Sequence, residues 1–314
     1  MIFNKVNIKL LFLLFLPVFS FNAQSGLSPY IVLLGNVQDA GSPHMGCKKK
    51  CCEKLFNNPD PTRKVISIGI VDPKEKKFWM IEATPDFVSQ CKELKKTCGF
   101  THKEVPDGIF LTHAHMGHYT GLMYLGRESF NSYKVPVFAM TRMGGFLLQN
   151  GPWNQLLKID NISLTNINDN KELKLSEQLS ITPFLVPHRD EFSETVGYKI
   201  SSTNKSILFI PDIDKWGKWN KDLILEIKKV DLALVDGTFY DASEVNYRDM
   251  SEIPHPFVKE TMELLENESA ETKSKIGFIH LNHTNPLLDS SSKESKTVLE
   301  KGFQIMSYKQ KIEM

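Results

Sequence analysis

The chain has 314 residues, a formal net charge of +1 and 41% apolar residues. That length suits one large α/β domain or two small ones, with enough apolar side chain for an ordinary core. Lysines and acids are mixed along the chain, which excludes the basic stripe of a nucleic-acid-binding protein.

Residues 1–23 read as an export signal. Lys5 and Lys9 make a basic start, Leu10 to Phe19 is a short apolar run, and Ala23 offers a small residue for cleavage. The run is too short for an ordinary spanning helix, and no later segment is long enough to span. The mature chain, 24–314, is therefore expected as one domain, periplasmic or secreted, with no stable membrane insertion after cleavage. No cysteine sits at the cleavage point, which argues against a lipoprotein.

Tyr30 to Gly35 is a compact apolar run with β-branched residues, predicted as a buried strand. A loop rich in Gly, Pro and Cys follows to about Pro61. Cys47, Cys51 and Cys52 lie together in its Lys-rich part, spaced like a damaged zinc knot. Ordinary thiols or one structural disulfide are equally open readings, and the odd count of five leaves at least one thiol unpaired unless a metal takes it. Val65–Val71 and Lys77–Ile81 read as strands joined by the turn at Asp72 to Glu75. Pro85–Cys98 has helical spacing. On such a helix Cys91 and Cys98 would stand ~10 Å apart, too far for one disulfide.

Ile109 to Leu111 is a short strand that delivers Thr112-His113-Ala114-His115-Met116-Gly117-His118. Further strands are predicted at Val135–Ala139, Leu179–Val186, Val196–Ile200, Ser206–Ile210, Asp231–Val235 and Ile276–His280. Helices are predicted near Met140–Gln149, Asn220–Lys228, Phe257–Glu266 and Lys293–Glu300, and Asn267–Lys275 reads as a solvated helix end and loop. Many strands with interspersed helices imply sheets covered by helices.

Chemistry collects where the apolar runs stop. His113 and His115 are two apart on an extended segment and so point the same way. His118 is three further on, where a turn into a helix could return it to a neighbouring ion. His188 follows Val186-Pro187, Asp212 follows Ile210-Pro211, and His280 ends the run from Ile276, with His283 just beyond. Neutral imidazole and carboxylate suit zinc and related metals, and rigid strand ends are a natural place to display them.

With those residues in view, the chain resembles the metallo-β-lactamase fold superfamily, whose pattern is His-x-His-x-Asp-His, a distant His, a distant Asp and a final His. The loop Gln38 to Cys47, Ala83 to Asp86, His118 to Leu122, Asp236 to Phe239 and His280 to Pro286 narrow the resemblance to the pyrroloquinoline quinone biosynthesis protein B branch. It implies an αββα sandwich, two β-sheets packed face to face with helices outside. It also implies one ion on His113, His115 and His188, and a second on His118, His280 and Asp212, with Asp212 able to bridge. His283 competes with His280 as the last ligand. The branch is associated with oxidative modification of a tyrosine-derived precursor and with iron, yet an exported protein is badly placed to meet a cytosolic peptide.

The chain departs from the pattern at Gly117, where the superfamily has Asp. Three arrangements stay open: one ion, two ions with another group filling the gap, or a metal other than zinc, with iron or manganese in view. Asp39 and His44 in the first loop, Glu82 after its strand and Asp190 past His188 are candidate replacements. The leading expectation is an exported metal-dependent hydrolase of a small ester, lactam or phosphodiester, using zinc to activate water. Asp212, Asp39 or Glu82 would hold the water or take a proton. His44 and His255 would face the substrate, and Asp236 would brace a ligand histidine. The rivals are an iron-dependent oxygenase and a non-catalytic metal-containing binding protein. The expected partner is a small molecule, with no nucleic acid; nothing in the pattern sets an oligomeric state.

Overall fold

Central strand runs that are buried at every or nearly every position, such as Tyr30–Gly35, Ser206–Ile210, Leu232–Asp236 and Ile276–Ile279, build two sheets covered on both faces. The computed structural model describes residues 1–2, 28–245 and 253–314. The predicted signal segment lies outside the described residues from position 3 onward, and no described helix is long and apolar enough to cross a membrane. The strands are β1 Tyr30–Gly35, β2 Ser67–Asp72, β3 Lys77–Ile81, β4 Gly108–Phe110, β5 Val135–Ala139, β6 Ile162–Asn166 and β7 Leu173–Lys174. They continue with β8 Leu179–Leu185, β9 Val196–Ser202, β10 Ser206–Ile210, β11 Leu232–Asp236, β12 Ile276–Ile279, β13 Gln304–Ile305 and β14 Lys311–Glu313. The helices are α1 Lys50–Glu53, α2 Phe87–Cys98, α3 Met116–Tyr119, α4 Thr141–Gln149 and α5 Trp153–Lys158, then α6 Leu223–Lys228, α7 Val258–Leu264, α8 Ala270–Ser274 and α9 Lys293–Glu300.

One seven-stranded sheet has the order β14-β1-β2-β3-β4-β5-β6 and the other β13-β12-β11-β10-β9-β8-β7. In β1 the side chains divide between two layers. Ile31 and Leu33 enter the core between the sheets, where they meet Ile68, Phe110, Tyr198 and Phe209. Tyr30, Val32 and Leu34 face the other way, into a core closed by α2 through Phe87, Cys91 and Leu94. A third core sits on the far side of the second sheet, where Leu223 and Ile227 of α6, Val258 and Met262 of α7 and Val298 of α9 cover β10 to β12. Each large apolar side chain so buried contributes about 1.5–3 kcal/mol. The layers are helix, sheet, sheet, helix.

Strand direction positions the site. β3 to β6 run parallel, and so do β10 to β13. Their C-terminal ends therefore gather along common edges, and the residues just past them are Glu82, Thr112 and His113, Asp212, Gly237 and His280. Glu82 (φ 79°) and His280 (φ 61°) both take the left-handed backbone that non-glycine residues avoid, so each turns sharply out of its strand; strain of this kind is commonly stored at functional sites. The first loop is strapped to the same edge. Gln38 N–H donates to the Leu281 carbonyl (2.9 Å), Leu281 N–H to the Asn36 carbonyl (2.8 Å), and His280 N–H to Asn36 Oδ1 (3.2 Å).

The segment Asn267–Lys275, expected as a helix end and loop, instead carries α8. Ser269 caps it by accepting from Thr272 N–H, and Thr272 packs inward. Capping starts a helix that the polar composition conceals.

The two sheets are pinned beneath the site by Tyr198 of β9. Its hydroxyl, fully buried, donates to the Leu111 carbonyl at 2.6 Å, two residues before His113. Tyr198→Phe leaves that carbonyl without its partner and should cost about 1–3 kcal/mol. The urea midpoint should fall with an unchanged slope; an unchanged midpoint would remove the pin.

Candidate metal centre

Three ring nitrogens face one another at the end of β4. His113 Nε2 lies 2.8 Å from His115 Nδ1, and His115 Nδ1 lies 3.3 Å from His188 Nε2. Asp212 closes the group, with Oδ2 3.4 Å from His113 Nε2 and Oδ1 3.3 Å from His188 Nε2. A second group lies alongside. Asp39 Oδ1 is 2.9 Å from His118 Nε2 and 3.0 Å from His280 Nε2, and Asp212 Oδ2 stands 3.9 and 4.0 Å from the same two nitrogens. Asp212 thus belongs to both groups, and within each the donor atoms lie within 4.8 Å of one another.

For His113 and His280 the outer ring atom explains why the inner one points inward unprotonated. Thr112 donates its hydroxyl proton to Glu82 Oε1 (2.6 Å), so its oxygen accepts from His113 Nδ1–H (2.9 Å) and leaves Nε2 bare. The same relay recurs on the other sheet. Thr238 donates to Asp236 Oδ1 (2.7 Å) and accepts from His280 Nδ1–H (2.8 Å). His118 Nδ1 lies 3.1 Å from Glu82 Oε1, an ion-pair contact without hydrogen-bond alignment. His115 uses the opposite tautomer, with Nε2–H toward Glu191 Oε2 at 3.2 Å. Partners of this kind fix the tautomer and raise the basicity of a metal-ligating imidazole.

Electrostatics separate the rings. Burial, then the neighbouring His118, holds His113 well below the usual histidine range, and burial pushes His188 down to about 4. Both are neutral and available as ligands. Burial opposes charge on His118 as well, but Asp39 and Glu82 raise it well above the usual value. His255 is likewise opposed by burial and pushed up to about 9 by Asp236 and Asp212, whose oxygens lie 2.8 and 3.2 Å from its Nδ1. Burial works against the carboxylates of Asp39 and Asp212, yet the histidines around them hold both well below the carboxylate range. The four carboxylates of the cluster, Asp39, Glu82, Asp212 and Asp236, find their ion-pair partners in histidines. Buried Asp212 Oδ1 and His188 Nδ1 have no hydrogen-bond partner. Lone pairs aimed at one another and an excess of buried negative charge are the environment a divalent cation relieves, and the N/O donor set suits zinc-like metals.

The sequence-predicted residues divide accordingly. His113, His115, His118, His188, Asp212, His280 and Asp39 converge. Glu82 is fully buried behind His118 and Thr112, bracing them instead of facing the opening. Asp236 braces His280 through Thr238 and holds His255 directly. His283 lies outside the converging set, four residues past the end of β12, and stacks on His44 at 4.4 Å. Asp190 accepts from Thr195 at 2.8 Å and stays at the exposed rim, so neither it nor His44 fills the gap at Gly117. Sequence reasoning missed Thr112, Thr238 and Glu191. A threonine directly before the first histidine, and another in Asp236-Gly237-Thr238, was the available signal.

A cavity of about 570 Å³ opens beside the cluster, with Thr238 and His255 in its wall. Lys48, Lys49 and Arg189 stand on its rim, and Phe239 and Ile253 give it apolar surface. Glu244, pushed up to about 7 by burial, faces it while accepting from Thr284 at 2.7 Å. Cys47 lines the cavity too. All five cysteines are free thiols, and Cys47, Cys52 and His283 form a separate small cluster. Burial drives the Cys91 thiol up to about 12, so it is an inert core residue.

The beta-lactamase superfamily domain model matches residues 79–278. The chain is 24% identical over 298 residues to coenzyme PQQ synthesis protein B of Xanthomonas campestris pv. campestris (strain B100), spanning 88% of this chain and 96% of that protein. Among solved structures it is similar to zinc-bound PqqB from Methylobacterium extorquens, with a TM-score of 0.72 and 21% identity over 91% of this chain and all of that one. It is also similar to a diphosphatase from the PhnP family, with a TM-score of 0.61 and 19% identity over 91% and 97%.

Two outcomes are expected of the centre. Thr112→Val and Thr238→Val should each weaken metal binding about 10–100-fold without unfolding the chain; chelator-competition titration measures it, and unchanged affinity would strip the relays of that role. In metal-stripped protein, His188 protonates near pH 6.5 when unfolded but only near 4 when folded. The unfolded chain then binds more protons between these values, so stability falls as pH drops from 6.5 to 4. His188→Gln should make that limb shallower in urea melts taken across the window with chelator present, the remainder coming from His113, which burial also holds low.

Proposed function

We propose that this chain, which belongs to the beta-lactamase superfamily, is a metal-dependent hydrolase of a small anionic ester, with a phosphodiester as the best fit. The observation that carries the reading is Asp212, one carboxylate shared by two groups of inward-facing ring nitrogens beside a cavity. His113, His115, His188 and Asp212 would hold one zinc ion, and His118, His280 and Asp212 a second. Zinc bound there lowers the pKa of a coordinated water toward neutrality and polarises the substrate. Asp212 and Asp39 are the carboxylates placed to align the attacking water. His255, held beside Asp236 and Asp212 and lining the cavity, is placed to meet developing negative charge on the substrate. Lys48, Lys49 and Arg189 on the rim favour an anion. The basic and apolar pattern of residues 1–23 supports a periplasmic or secreted location.

Iron-dependent oxygenation is the second reading, favoured by the similarity to coenzyme PQQ synthesis protein B. Turnover of a chromogenic aryl phosphodiester, compared with a chromogenic β-lactam and a carboxylic aryl ester, separates the two. Chelation should abolish hydrolysis, and zinc or manganese should restore it under nitrogen. A requirement for iron and oxygen would replace the hydrolase with an oxygenase, and no turnover under either regime would leave a binding protein.

A further inference from the structure

Gly117 lies buried in α3, between His115 and His118, and something occupies the room a side chain would need there. A Cβ on residue 117 would stand 2.5 Å from Asp39 Cα, 2.7 Å from Asp39 Cβ and 2.9 Å from Asp39 Cγ. Real Cβ atoms essentially never approach that closely, so a side chain at 117 and the present position of Asp39 exclude each other. The Asp39 carboxylate in turn sits in the second group. Its Oδ1 is nearly equidistant from His118 Nε2 and His280 Nε2, at 2.9 and 3.0 Å, and both rings have their other nitrogen engaged behind them.

We propose that Asp39 is the anionic ligand of the second metal pocket in place of a carboxylate on residue 117, so that this ion is held in part by the first loop. The inference rests on the metal reading of the site. Glycine at 117 is what allows it: the carboxylate has moved from the segment after β4 to the segment after β1, and the glycine clears its place. Asp39 is brought there by the Asn36–Leu281 and Gln38–Leu281 hydrogen bonds that strap the first loop beside His280.

Zinc titration of metal-stripped protein against a competing chelator tests this without any assay of turnover. The wild type should take two ions. Asp39→Asn, which keeps size and removes charge, should keep the first ion and weaken the second by roughly 100-fold or more. Gly117→Ala should do the same by displacing Asp39, with circular dichroism to confirm the fold. The exchanged pair Asp39→Gly with Gly117→Asp should regain the second ion, which a merely structural Asp39 would not predict. A second ion bound by Asp39→Asn as tightly as by the wild type, or a wild type that takes a single ion, overturns the inference while leaving a one-ion hydrolase standing. A wild type that takes no ion overturns the metal reading itself.

Discussion

The constraint on which the rest turns is that acids and imidazoles are buried together with their lone pairs facing inward. Removing an ionised carboxylate from water costs several kcal/mol unless opposite charge and hydrogen bonds compensate it. Here Asp212 and Asp236 are at most 2% exposed, and Glu82 is fully buried. Protons alone do not balance the set. A proton placed between His113 Nε2 and His115 Nδ1 satisfies one lone pair of the three that meet there. The Thr112 and Thr238 hydroxyls also commit the Nδ1 protons of His113 and His280 to the outer side. Everything behind the cluster, including the left-handed turns at Glu82 and His280 and the Tyr198 pin, holds that arrangement against its own repulsion.

What could be read from sequence follows from where each signal lives. Strands buried on both faces announce themselves, and Tyr30–Gly35, Lys77–Ile81, Val135–Ala139 and Ser206–Ile210 fall where the apolar runs place them. The strands that escaped are at edges or are short. β14 is Lys-Ile-Glu, with two exposed positions, and exists because β1 offers it an open edge. β6 is exposed at its end, and its register comes from pairing with β5 rather than from any run of its own. Helix α5, with one buried side chain, Leu156, has too thin an apolar stripe to stand out.

The site was legible in its ligand types because each histidine or aspartate closes an apolar run, and parallel strands bring such ends together. Its partition was not. The choice between His280 and His283 depends on a left-handed φ at residue 280 that sends one ring to Asp39 and leaves the other to stack on His44. The roles of Glu82 and Asp236 depend on threonine hydroxyls interposed between acid and imidazole, a geometry with no spacing rule. The cysteines show the same limit: their crowding is visible as text, whereas the free state of all five depends on three-dimensional placement.

The first loop joins functions that would otherwise be separate. Between Asn36 and Lys49 it supplies the strap to Leu281, the Asp39 carboxylate, and the cavity wall from His44 to Lys49. Segments that directly follow strands bear His113, His115, His188 and Asp212, so the geometry of one ion pocket is set by the sheets. The other pocket takes a donor from a segment that also touches whatever fills the cavity. A molecule pressing on that wall therefore acts on Asp39 through fewer than ten residues of backbone, and a carboxylate displaced by even 1 Å changes how its neighbours are held. A carboxylate moved from a strand end to a loop couples the cavity to the metal pocket, and Gly117 is the residue that leaves room for it.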